Sequence, residues 1–258
     1  MKITRNTILI TGGGSGIGRA LAESFQKLGN HVIIAGRRQH ALDQTTAANP
    51  GMSSVVLNIE DPANITAVAA QLVASYPALN VVIHNAGIMR PENLLKAAET
   101  ADNLITAEAT ITTNLLGPIR LTAALLPQLQ KQPHAAILTV SSGLAFIPMA
   151  LVPTYNATKA AIHSWSQSLR YQLKSTSVEV IEIVPPYVQT ELMGSAQAAD
   201  PRAMPLKDYI AETIELLKTQ PNATEILVER VKPLRFAEQN GTEKYAAFFQ
   251  QFNDAMSH

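Results

Sequence analysis

Cysteine is absent, and with it go disulfides and thiolate metal ligands. That suits a reducing compartment, and a cytoplasmic location is expected. Neither sign of charge prevails: 20 Lys and Arg stand against 20 Asp and Glu. The sequence therefore offers no polybasic face for nucleic acid or for a membrane surface. No run of about 18 apolar residues occurs, so no membrane insertion is expected. The opening stretch, Met1-Lys2-Ile3-Thr4-Arg5-Asn6, has no signal-peptide apolar region. The six histidines show no ligand spacing, so no metal is expected. Repeats, low-complexity tracts and linker-like stretches are also missing.

What is present is an alternation. The 258 residues, 47% of them hydrophobic, suffice for one large α/β domain or two small ones. Thr7 to Ile10 reads as a strand. A helical stripe follows through Ile17, Leu21, Phe25 and Leu28, stopped by Gly29-Asn30. Strands are then expected at His31–Ala35, Ser54–Leu57, Val81–Ile83, Ala135–Val140, Val178–Val184 and Glu225–Val228. Helices are expected from Asp61-Pro62 towards Ser75, over roughly Ala101–Gln130, and over Thr154–Lys174 and Leu206–Thr219. A terminal helix is expected near Tyr245–Phe252. Asp61 as N-cap before Pro62 is a good start signal. Apolar strands alternating with helices imply a single-domain, doubly wound parallel sheet of about seven strands, covered on both faces. Residues 1–258 are read as one unit, with a substrate lid over about 190–206 and a C-terminal extension over about 230–258.

The first strand ends at Thr11-Gly12-Gly13-Gly14-Ser15-Gly16-Ile17-Gly18. Glycines at a strand-to-helix turn let the backbone approach a ligand. The helix N-terminus then directs N–H groups and a positive dipole end at an anion, here the pyrophosphate of a dinucleotide. The bland alternative is a flexible glycine loop. An acidic residue at the end of the second strand would bind a ribose 2′-OH. The chain has Ile33-Ile34-Ala35-Gly36-Arg37-Arg38 instead. Arginine's planar fork matches a phosphate, so NADP(H) is expected, with Arg37 on the 2′-phosphate and Arg38 assisting. NAD(H) is the alternative cofactor, and solvated loop charges the alternative role for the arginines.

Tyr155 and Lys159 lie four residues apart, on one face of a helix. A phenol titrates near pH 10, and a fixed ammonium beside it favours the phenolate. The pair is a candidate proton donor and acceptor. Asn114 sits in a helical pattern four residues before Pro118, which has no N–H to return to the Asn114 carbonyl. A continuing helix should kink there, leaving a carbonyl in need of another partner such as water. Otherwise Gly117-Pro118 ends one helix and starts another.

The glycine turn, Asn85-Ala86-Gly87, Asn114, Ser142, Tyr155 and Lys159, in that order, resemble the short-chain dehydrogenase/reductases. Within them the chain looks most like the DltE-type oxidoreductases. The resemblance implies an NADP(H)-dependent enzyme acting on CH–OH groups or the matching carbonyls. It implies Tyr155 as proton donor and acceptor, and Ser142 as hydrogen-bonding partner of the substrate oxygen. It implies Lys159 on the nicotinamide ribose, and Asn114 holding a water that connects the lysine to solvent. Gly12, Gly14, Ser15, Gly16, Ile17 and Gly18 would hold the phosphates. Asn58, Ile59, Asn85, Ala86 and Gly87 would lie near the adenosine, and Pro185, Val188 and Thr190 near the nicotinamide carboxamide. Three positions depart from the common pattern: His84 for asparagine, Asn58 for aspartate and Pro186 for glycine.

Leu144, Phe146, Ile147, Met149, Leu151 and Met89 are candidate substrate-lining residues, pointing to a hydrophobic or amphipathic carbonyl compound. The resemblance also implies a homodimer or homotetramer paired through the long helices of the fourth and fifth crossovers. Two other functions compete. One is a dinucleotide-sensing protein without turnover. The other is an epimerase or dehydratase like the extended relatives, against which the chain length and glycine spacing argue.

Overall fold

The computed structural model describes residues 1–96 and 102–256. The first half contains β1 (Thr7–Thr11), α1 (Gly16–Lys27), β2 (His31–Gly36), α2 (Gln39–Ala48), β3 (Ser53–Val56), α3 (Pro62–Ser75) and β4 (Leu79–His84). Then come α4 (Asp102–Ile111), α5 (Gly117–Gln130), β5 (Ala135–Val140), α6 (Pro153–Gln172) and β6 (Val178–Val184). The last part holds α7 (Ser195–Ala199), α8 (Leu206–Thr219), β7 (Glu225–Leu227), α9 (Lys232–Arg235) and α10 (Thr242–Met256).

The seven strands form one parallel sheet in the order β3-β2-β1-β4-β5-β6-β7. Its growth reverses between β1 and β4, the switch point where such sheets bind ligands. Successive residues of a strand face opposite sides. Ile8, Ile10, Val32 and Ile34 therefore enter one core with Leu21, Phe25 and Tyr209 from α1 and α8. Leu9, Ile33, Val82 and Ile137 enter the other, with Ile65, Leu72, Leu121 and Leu125 from α3 and α5. Two covered faces explain why the strands read as unbroken apolar runs.

Asp61 caps α3, its Oδ1 accepting from Ala63 N at 2.9 Å and Asn64 N at 3.2 Å. The helical region expected from Ala101 to Gln130, with its break ahead of Pro118, is α4 and α5 joined by a π turn over Thr112–Leu116. Pro118 is the cause: it withholds the N–H that an α-turn from Asn114 requires. Ala101, the expected start, lies outside the described residues. Helix α2 was not anticipated, and α10 is longer than the expected terminal helix.

Candidate active site

A cavity of about 760 Å³ opens at the C-terminal ends of the central strands. Its wall comes from the segments that follow β1 to β6 and from the C-terminal helices. Thr11 ends β1, and its hydroxyl accepts from Asn85 N and Ala86 N, each at 3.1 Å. The Asn85 amide answers by donating to Thr11 O at 3.0 Å. The glycine turn and the segment after β4 are thus tied edge to edge.

Gly12 has a φ of +68°, and a Cβ there would stand 2.8 Å from Asn85 Nδ2. Gly12, Gly14, Ser15, Gly16 and Ile17 line the cavity. Gly18 lies behind it, where a Cβ would meet Gly12 O at 2.4 Å. Its part is close packing of α1 on the turn. Ser15 is the N-cap of α1 and makes no side-chain capping bond. The first N–H groups of α1 therefore have no side-chain partner where the helix meets the cavity. That turn fits a phosphate-bearing ligand.

Arg37 and Arg38 flank the cavity after β2. Arg38 donates to Ser15 Oγ at 3.3 Å. Arg37 pairs with Glu60 at 2.8 Å, and Thr113 Oγ1 donates to the same carboxylate oxygen at 2.7 Å. Leu57 and Ile59 line the wall, but Asn58 does not. The Asn58 side-chain oxygen accepts from Glu60 N at 3.2 Å.

Helix α6 carries Tyr155 and Lys159, both buried and both on the cavity wall. Pro153 starts it, and the buried Glu92 takes bonds at its first turn from Thr154 N (3.1 Å) and Thr154 Oγ1 (2.7 Å). A carboxylate at a helix N-terminus is favoured by the dipole. Lys159 Nζ donates to Val140 O at 2.7 Å and stands 5.5 Å from the Tyr155 ring centroid. Ser142 follows β5, and its Oγ accepts from Leu144 N at 3.1 Å. Asn114 lies buried in the π turn. Its side chain accepts from Ile88 N and donates to Ile88 O, both at 2.9 Å, and donates to Thr158 Oγ1 at 3.2 Å. One amide thus joins α6 to the segment after β4.

The expected lowering of the phenol is not what burial produces. Desolvation pushes Tyr155 up to about 12, with a hydrogen bond to Ser142 pulling the other way. Burial brings the Lys159 ammonium down to about 8, opposed by the charge of Glu182. At neutral pH this leaves a protonated phenol beside a mostly protonated amine.

Pro185, Val188 and Thr190 line the cavity beyond β6. Of the candidate substrate residues, Leu144, Met149 and Met89 line it and three do not. Ile147 is fully buried, Phe146 meets the His163 ring edge-on, and Leu151 is exposed.

A family model described as short chain dehydrogenase matches residues 6–201. The chain is a short-chain dehydrogenase/reductase. It is 40% identical over 256 residues to the uncharacterized oxidoreductase DltE of Bacillus subtilis, covering 98% of each chain. A short-chain dehydrogenase from Sphingobium yanoikuyae in complex with NADPH is 26% identical, with a TM-score of 0.76, over 91% of this chain and 94% of that one. One from Burkholderia cenocepacia in complex with NADP shares the fold at a TM-score of 0.81 and 21% identity, over 97% of this chain and 98% of that one. Among the described residues no helix is long and apolar enough to cross a membrane.

Several groups around the site of this short-chain dehydrogenase/reductase escaped the sequence reading. Thr11, at a strand end before glycine, was legible in principle. Glu92, Glu60 and Thr158 were not, because only the fold brings them to their partners. Behind α6, His163 Nδ1 meets the fully buried Glu182 at 2.7 Å, and Glu225 lies close by. Glu225 is held by Arg235 at 2.6 and 3.0 Å. His84 ends β4, with Nε2 2.8 Å from Thr122 Oγ1 and the ring edge-on to Trp165 at 6.5 Å between centroids.

Proposed function

We propose that this oxidoreductase reduces a carbonyl compound with NADPH, or oxidises the matching secondary alcohol with NADP. The observation that carries the reading is the meeting of Tyr155, Ser142 and Lys159 on one cavity wall, at the switch point of the sheet. A bound nicotinamide would supply or accept the hydride. Tyr155 hands its phenolic proton to the carbonyl oxygen and takes it back in the reverse direction. Its elevated titration suits the donor, since the proton is present throughout the neutral range. Ser142 steadies the charge growing on that oxygen. Lys159, charged and adjacent, favours the phenolate left behind. Asn114 fixes α6 against the segment after β4 and so holds this set together.

Gly12, Gly14, Ser15, Gly16 and Ile17 would hold the pyrophosphate. Ile59, Ala86 and Gly87 would wall the adenosine, and Pro185, Val188 and Thr190 would position the carboxamide. Arg37 and Arg38 would take the 2′-phosphate. To do so Arg37 must leave Glu60. Its side chain is 51% exposed, and such surface pairs are worth no more than about 1 kcal/mol. A doubly charged phosphate displaces it.

The test is NADPH consumption with a panel of ketones, followed at the nicotinamide band. Tyr155→Phe should bind NADPH as wild type does and lose about two to four orders of magnitude in kcat. Arg37→Ala should weaken NADPH about tenfold or more, through the lost charge-assisted bonds, and leave NADH nearly unaffected. Full turnover in Tyr155→Phe would remove the proton-transfer role. NADPH binding with no ketone turned over even by the wild type would favour a dinucleotide sensor.

A further inference from the structure

The chain's own tail supplies part of the cavity wall beside Tyr155. Tyr245 Oη, on α10, donates to Phe146 O at 3.2 Å. One turn short of the helix end, Asn253 donates to Pro148 O at 3.1 Å and accepts from Ala150 N at 2.6 Å. Arg202, between α7 and α8, donates to Ala255 O at 3.4 Å. These bonds pin α10 across the segment between β5 and α6 on one side and the segment before α8 on the other.

So held, α10 places Phe252 and Met256 on the cavity wall. They pack on the cluster formed by Met89, Met149, Val152 and Tyr155. Phe248 backs Phe252 edge-on at 6.4 Å between ring centroids. The charged residues Arg90 and Glu191 also reach the cavity, but both are exposed. The side chains packed with Tyr155 are thioether, phenyl and aliphatic, polarizable and poor in hydrogen-bond donors. Such a wall strips water from a polar substrate and returns no hydrogen bond. It rewards an apolar one by area, and thioethers adapt to its shape.

We propose that α10 is the specificity wall of the substrate chamber, with Phe252 and Met256 selecting uncharged, apolar carbonyl compounds bulky enough to reach them from Tyr155. This rests on the oxidoreductase reading of Tyr155. The substrate class is thus an aryl or medium-chain alkyl ketone, or its secondary alcohol, rather than a sugar or a keto acid.

Two measurements on the full-length protein with NADPH test it. The first is kcat/KM for phenyl pentyl ketone against butanone. In Phe252→Ala and in Met256→Ala the bulky-to-small ratio should fall about tenfold, the scale set by apolar pocket contacts. Phe249→Ala, on the same helix but off the cavity wall, should keep the wild-type ratio. The second is binding of N-pentylbenzamide, a similar molecule that nicotinamide does not reduce, by saturation-transfer NMR. It should bind the NADPH-loaded wild type and lose about tenfold in affinity in Phe252→Ala. Ratios unmoved in both α10 variants, or amide binding indifferent to Phe252, would overturn the wall. Amide binding that depends on Phe252, with no ketone turned over, would uphold the wall and overturn the oxidoreductase reading instead.

Discussion

His84 shows what one buried ring can do to the whole. Burial pushes its titration down to about 4, from an ordinary value of 6.5. Between those values the unfolded chain binds a proton that the folded chain refuses. Stability is therefore intact above about pH 6.5 and falls as pH drops through that window. By pH 5 the loss from this group alone is on the order of 2 kcal/mol. Urea unfolding at pH 7 and pH 5 checks it. The difference between the two should shrink by about that amount in His84→Asn, whatever the variant's absolute stability. Equal differences in the two proteins would assign the acid sensitivity to other groups.

At the scale of the element, the glycine turn and α1 behave as one part. Gly18 was expected to touch the dinucleotide, and the structure gives it to packing instead. In Gly18→Ala a better helix former gains at most about 1 kcal/mol. The new methyl would meet Gly12 O at 2.4 Å and Asn85 Nδ2 at 2.3 Å. Forcing these apart costs about 1–3 kcal/mol, so the clash wins. The thermal midpoint should drop by roughly 2–8 °C, and NADPH affinity should fall with it, because Gly12 belongs to the turn and Asn85 is tied to it. A midpoint at or above wild type would show that the turn gives way freely. The same element scale explains what was legible. β5, β6 and α8 could be bounded from their apolar periodicity and turn residues. Helix α2 could not, for Gln39–Ala48 buries only Leu42 and Thr45 and offers little stripe to read. Pro118 located the break at Asn114, but a π turn and a proline kink look alike in sequence. Tyr155 and Lys159 share one helical turn, a commonplace spacing, and were legible because the glycine turn, Asn85-Ala86-Gly87 and Ser142 precede them in order. Glu92, His163 with Glu182, and the Phe252–Met256 wall were not, since nothing local ties them to a site assembled from distant segments.

At the scale of the whole molecule, several large apolar side chains among the described residues are left in the open. Leu104 and Ile105 on α4 are 66% and 60% exposed. The resemblance implies pairing through this region, and these side chains supply a physical motive. Burying a large aliphatic side chain is worth about 1.5–3 kcal/mol, and a symmetric pair counts each twice. Light scattering should give two or four times the chain mass of 27.8 kDa. Glu in place of both Leu104 and Ile105 should return the single-chain mass with the fold intact by circular dichroism. A wild type already at that mass would end the oligomer proposal.

The edge contact between His84 and Trp165 has an optical consequence. Trp165 is the chain's one tryptophan, so all indole emission comes from a ring lying against that imidazole. An imidazolium quenches an excited indole far more than a neutral ring does. Emission from the folded enzyme should therefore dim as acid first reaches residue 84, before any red shift reports exposure to water. The protein carries its own gauge of when its interior takes up a proton.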